Sequence, residues 1–215
     1  MRRFLGGVRL TAGILLAGVI AYQITDLAIG GGLIPYQYFS FFTVDSTFIE
    51  IAVLVVAGVA ALRRDADGSR LTSIAMSIVP YAIVVTLVYN LLLRGAPTTQ
   101  YLGQDWHNEV VHVAAPIYLA VDWFVLRLFD AGRPRLRFRA IGVMFVFPVL
   151  WFVFTMVRGA IIGYYPYPFL DVEKSGIGTV VGYTLGLFVL MGALAVAAVA
   201  VTRTRHPRPE LSPAL

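Results

Sequence analysis

Thr43, Ser46, Thr47 and Glu50 fall at i, i+3, i+4 and i+7 within the apolar stretch 39–62. On a helix that spacing is one face. Thr86, Asn90 and Arg94 recur every fourth residue in the stretch 71–93, and Asp105, Asn108, Glu109 and His112 keep helical spacing at the start of 109–130. Polar groups in hydrocarbon are costly unless they face protein or a watery cavity. A helix rises about 1.5 Å per residue, so Thr43, Asn90, His112 and Arg158 each lie about 5 to 6 Å inside one end of their apolar runs. The stripes are therefore predicted to converge on one polar pocket open to the extracytoplasmic side.

These residue types suit acyl transfer. A threonine hydroxyl is a weak nucleophile until a neighbouring base takes its proton. Histidine titrates near neutrality and fits that role. Attack on an ester carbonyl also needs donors for the developing oxyanion. Thr43 and His112 are the candidate reacting pair. Ser46, Asn90, Arg94 and Arg158 are candidates for substrate or oxyanion contact. Plainer roles stay open to each: a threonine hydroxyl satisfied on its own helix, or a polar side chain that only joins helices. A zinc centre needs three or four ligands. The chain has no cysteine and three histidines, one of them His206 in the tail. His107 and His112, five apart, stand about 140° apart around a regular helix. Neither a metal nor another cofactor is expected.

The elements that must position these groups follow from composition. Of 215 residues, 59% are hydrophobic and only 13% are charged, more apolar surface than a soluble domain can hide. Six apolar runs near 5–28, 39–62, 71–93, 109–130, 140–162 and 177–201 are each long enough to span a bilayer. The first follows Arg2 and Arg3 but is too long for a signal peptide, so it is expected to be retained. The expectation is an all-α integral membrane six-helix bundle over 1–201, with a disordered cytoplasmic tail at 202–215. Fourteen of the seventeen basic residues fall in the N-terminus, the second and fourth connections and the tail. Only Arg94, Arg158 and Lys174 lie on the other side. The positive-inside rule then places both termini in the cytoplasm of a multi-pass cell-membrane protein. The net charge of +5 is a topology signal of this kind, and no nucleic-acid partner is expected. Gly178, Gly182 and Gly186, at four-residue spacing, favour packing against a helix of the same chain over a dimer interface. Asp122 has no basic residue one turn away on its own helix, and a helix-to-helix contact is its expected role.

Four segments carry a resemblance: YFSFFTVDST (38–47), YNLLLRG (89–95), NEVVHVAAPIYLAVDW (108–123) and FVFTMVRGAIIGYYPYPFLDV (152–172). With the six-span layout they resemble the androgen-induced transmembrane hydrolases, and more closely a bacterial set of six-helix membrane proteins similar to them. The resemblance implies hydrolysis of fatty acyl esters, with Thr43 as nucleophile and His112 as its histidine. Asp45 and Thr47 stand where the bacterial members are expected to carry amides. The implied partners are membrane lipids and a fatty-acyl ester substrate. Two non-catalytic alternatives stand beside this. One is a small-solute or lipid carrier in which Glu50, Glu109 and His112 relay protons. The other is a structural subunit whose polar layer only fixes helix packing. The loop Gly163–Phe169, rich in tyrosine and proline, reads as an interfacial anchor in preference to a substrate lid.

Overall fold

The computed structural model describes residues 1–63, 68–95, 106–125 and 134–203. Within these, all regular structure is helical. Five helices are long and apolar enough to cross a membrane: α1 (Arg2–Ile29), α3 (Phe42–Arg63), α4 (Ser69–Val88) with its continuation to Leu93, α7 (Ile141–Ile162) with the 3₁₀ turn Phe138–Ala140 before it, and α9 (Ile177–Val201). The chain is thus an all-α, multi-pass membrane protein. A short α2 (Pro35–Tyr38) precedes α3, and α8 (Val172–Ser175) precedes α9. Trp106–Phe124 is helical throughout, as α5 (Trp106–Glu109), a π-turn (Val110–Ala114) and α6 (Ala115–Phe124). Asp105, residues 126–130 of the fourth apolar run, Arg64, Arg127, Arg133, Arg205, His206 and Arg208 lie outside the described residues, as does the tail beyond Arg203.

The packing of α1 on α3 follows from side-chain size. The buried face of α1 runs Gly6, Arg9, Gly13, Leu16, Ile20, Gln23, an alternating three- and four-residue spacing that keeps one seam toward its partner. Glycines let the backbones close. A Cβ built on Gly58 would lie 2.8 Å from the Leu10 nitrogen and 2.9 Å from the Gly6 carbonyl oxygen, and one on Gly13 would lie 3.1 Å from the Leu54 Cβ. In contrast, a Cβ at Gly178, Gly182 or Gly186 of α9 meets nothing within 4 Å. These three glycines face outward, so the intramolecular packing expected of them is instead carried by α1 and α3. Gly58→Leu is accordingly expected to cost about 1–3 kcal/mol through overpacking. Gly182→Leu should stay within about 0.5 kcal/mol. Denaturant unfolding of the two variants in detergent checks this difference.

At the centre, α3 and α4 are the most enclosed spans, with half or more of their most apolar windows buried, against 22% for α7 and α9. Met76, Val79 and Tyr81 of α4 pack with Leu119 and Trp123 of α6, Met144 of α7 and Ala195 of α9. Polar tips inside this core are satisfied across helices: the Tyr81 hydroxyl donates to the Met144 carbonyl and the Trp123 indole N–H donates to the Ala198 carbonyl at 3.0 Å.

One ion pair is buried in the bundle. The Arg9 Nε donates to both carboxylate oxygens of Asp122 at 3.0 Å, and its terminal nitrogen lies 3.0 Å from Oδ1. Asp122 therefore does make a helix-to-helix contact, as expected, and its partner is on α1. Arg9, only 1% exposed, is an interior residue rather than one of the loop charges that set sidedness.

Candidate functional site

Span two starts later than its hydropathy suggests. Pro35 opens the separate turn α2, and the chain bends at Ser40 and Phe41 before α3 begins at Phe42. Thr43 consequently sits in the first turn of α3, not four residues down a longer helix. The Asp45 N–H is the first of α3 to bond a backbone carbonyl, that of Phe41 at 3.2 Å. The N–H groups of the preceding turn are left for other acceptors, and the helix dipole favours negative charge beside them.

Tyr167 occupies this position. Its hydroxyl lies beside the backbone of Phe42 and Thr43 and the Thr43 side chain. Burial pushes its phenol up to about 12, so it stays protonated and can donate as well as accept. Its ring is held by aromatic neighbours: Phe41 edge-on at 5.7 Å, Phe169 stacked at 5.3 Å and Trp151 at 6.0 Å. The loop that delivers it is fixed at its far end. The Asp171 carboxylate caps α8 through the N–H groups of Glu173 and Lys174, and the Ser175 hydroxyl donates to the Pro168 carbonyl at 2.8 Å. Tyr167 and Leu170 are buried at 6% and 3% exposure. The loop therefore folds into the protein over the start of α3 and is more than an anchor at the interface.

His112 and Tyr89 come from two π-turns. Each is one residue wider per turn than an α-helix, a feature frequent at functional sites. In Val110–Ala114, Pro116 explains the widening: it has no N–H to offer the His112 carbonyl four residues back, and its ring crowds that carbonyl. Tyr89 opens the second π-turn, Tyr89–Leu93. The two rings stack, with centroids 4.1 Å apart and planes 20° apart. The His112 Nδ1 lies 2.9 Å from the Asn108 carbonyl oxygen. A carbonyl only accepts, so Nδ1 carries the proton, and Nε2 of the neutral ring keeps its lone pair. That tautomer is the one a general base needs.

Thr43, Tyr89, Leu93, His112 and Tyr167 line two cavities at once. The first runs between α4, α7 and α9 along Val84, Val88, Pro148, Phe152, Leu187 and Met191. The second lies between α1, the Pro166–Pro168 segment and Trp106–Ala114. Its wall includes Asn108 and the pair Tyr38–Gln23, where the tyrosine hydroxyl donates to the amide oxygen at 2.8 Å. The five shared residues form the seam between an almost wholly apolar chamber and a partly polar one.

The other sequence candidates are placed elsewhere. Asn90 and Arg94 are exposed on a surface row: the Asn90 amide donates to the Thr86 carbonyl at 2.8 Å, the Arg94 Nε donates to the Asn90 oxygen at 2.9 Å, and Arg94 pairs with Glu109 at 2.8 Å. This row straps the two π-turns together from outside. Arg158 donates to the Tyr36 carbonyl at 3.2 Å and lies over the rings of Phe154 and Tyr164. It braces α7 against α2. None of the three lines either cavity. The Ser46 and Thr47 hydroxyls both donate to the Thr43 carbonyl, at 3.1 and 2.7 Å, an arrangement that holds the first turn of α3. Glu50, one further turn down and 3% exposed, makes no hydrogen bond or ion pair among the described residues.

Tyr89, Tyr167 and Gln23 were not candidates from sequence. Tyr89 and Tyr167 lie inside segments that carry the family resemblance, which is the one signal pointing to them. No family model, curated protein or solved structure matches the chain.

Proposed function

We propose that the protein is a membrane-embedded lipid ester hydrolase, with Thr43 as nucleophile and His112 as base. One observation carries this reading: Thr43 and His112, from different helices, line the same two cavities where these meet. An ester held across the seam has its acyl chain in the apolar chamber and its alcohol portion in the chamber walled by Gln23, Tyr38 and Asn108. The His112 Nε2 takes the Thr43 proton as the hydroxyl oxygen bonds the ester carbonyl carbon. The developing oxyanion is met by the first-turn N–H groups of α3 and the Tyr167 hydroxyl, an arrangement of fixed donors in a dry site. The protonated histidine returns its proton to the departing alkoxide, and water repeats the sequence on the acyl-threonine. Asn90, Arg94 and Arg158 have no part in these steps.

In this reading Trp106–Phe124 belongs to a sixth span. Both termini are cytoplasmic, and the seam opens to the extracytoplasmic leaflet of the cell membrane. The distribution of arginines supports that sidedness. The likeness of segments 38–47, 89–95, 108–123 and 152–172 to the androgen-induced transmembrane hydrolases supports the choice of a fatty acyl ester.

The test uses a serine/threonine-directed fluorophosphonate on the purified full chain, with a panel of lipid esters for turnover. Covalent labelling of the wild type, lost in Thr43→Ala and in His112→Ala, is the expected result. A folded wild type that neither labels nor turns over any ester defeats the proposal. It would favour the second reading, a small-solute or lipid carrier, for which Glu50 inside α3, without a partner among the described residues, is the specific observation.

A further inference from the structure

At the end of the bundle opposite Thr43, arginines from two distant parts of the chain line one groove. Arg70 stands in the first turn of α4, and Arg135, Arg137 and Arg139 precede α7. The lower walls of the groove include Ile74 and Val143, 43% and 42% exposed.

The arginine segment is built to stay in place. Leu136 is 3% exposed, and its N–H donates to the Thr202 hydroxyl at 3.0 Å, which in turn donates to the Val199 carbonyl at 2.7 Å. The end of α9 thereby pins the middle of the segment. Arg135 and Arg137 flank this buried leucine and are both exposed. Arg137 is extended, at φ −89° and ψ 153°, and Arg139 follows in the 3₁₀ turn Phe138–Ala140. Among the described residues, no carboxylate pairs with Arg70, Arg135, Arg137 or Arg139. Arg9 and Arg94, in contrast, each have one. Across the groove, α4 begins at Gly68, whose lack of a side chain leaves the helix's first N–H groups without a cap from that residue.

Sidedness alone accounts for basic residues at this end of the protein. It does not account for their gathering around one cleft with an apolar floor. Guanidinium groups match phosphate oxygens two at a time. Basic clefts beside membrane helices recognise anionic headgroups, while the apolar floor suits the chains beneath. We propose that this groove is a binding site for one anionic phospholipid of the adjacent leaflet. Its phosphate lies among Arg70, Arg135 and Arg137, and its acyl chain lies along Ile74 and Val143.

The test is native mass spectrometry of the full chain in detergent micelles containing equal amounts of phosphatidylglycerol and phosphatidylcholine. The wild type should retain one phosphatidylglycerol in preference to phosphatidylcholine. Arg70→Gln and the double variant R135Q/R137Q, on opposite walls, should each weaken that adduct, by about five-fold per arginine removed. The variant R2Q/R3Q, with two charges removed outside the groove, should keep it. Circular dichroism shows that each variant keeps its helix content before it is scored. Excess inorganic phosphate should leave the adduct in place, because the acyl chain contributes to its binding. The proposal fails if both lipids are retained equally, or if the adduct survives R135Q/R137Q. It also fails if R2Q/R3Q loses the adduct to the same degree, or if inorganic phosphate removes it.

Discussion

Arg9→Met alone, or Asp122→Leu alone, is expected to lower the stability of the bundle by about 3–5 kcal/mol, because either change leaves a buried charge without its partner. Arg9 is 1% exposed and its guanidinium meets Asp122 through two nitrogens. The pair joins α1 to α6 across 113 residues of chain. The double variant R9M/D122L should recover most of the loss, since a well-packed apolar pair is often as stable as a buried ion pair. Denaturant unfolding of the four proteins in one detergent gives the cycle. Two single variants that unfold like the wild type would show that the contact carries no net energy. A double variant destabilised by the sum of the two single losses would show that the two sites do not communicate.

His112→Gln is expected to reduce ester turnover by about 10² to 10⁴-fold, the usual contribution of a positioned general base. Glutamine can keep the contact to the Asn108 carbonyl and fill much of the space beside Tyr89, but it has no basic nitrogen. The loss should therefore fall on kcat, with KM nearly unchanged. Tyr167→Phe keeps the ring among Phe41, Trp151 and Phe169 and removes only the hydroxyl that reaches the first turn of α3. Loss of one oxyanion donor costs about 10² to 10³-fold in kcat. Equal loss in both variants with unchanged thermal stability supports one reacting unit. A Tyr167→Phe enzyme with full turnover would assign the hydroxyl to capping α3 alone. Full turnover in His112→Gln would remove the base from the proposed mechanism.

The elements could be read from the chain because their signal is local. Each helix long enough to cross a bilayer coincides with an apolar run, and the stripe Thr43, Ser46, Thr47, Glu50 is buried on α3 as its spacing requires. Of the Thr43, Asn90, His112 and Arg158 layer, only Thr43 and His112 line the two cavities. Asn90 and Arg158 share their depth, yet depth along a helix does not fix which way the helix is turned. Rotation is decided by packing between helices, as where Gly6, Gly13 and Gly58 let α1 close on α3. The glycines of α9 show the same limit: their spacing permits close approach, and no helix among the described residues takes it up.

Tyr167 shows what tertiary structure alone decided. In sequence it is one of three tyrosines in a proline-rich loop, and nothing local separates it from Tyr164 or Tyr165. Folding closes the loop over the start of α3, where N–H groups lack acceptors and a buried polar tip finds partners. Arg9 and Asp122 follow the same logic across the whole chain. Hydrophobicity is a sum over neighbours in sequence, so the chain by itself determines the spans. Pairing of polar groups depends on neighbours in space, and only the packed bundle determines which of them meet.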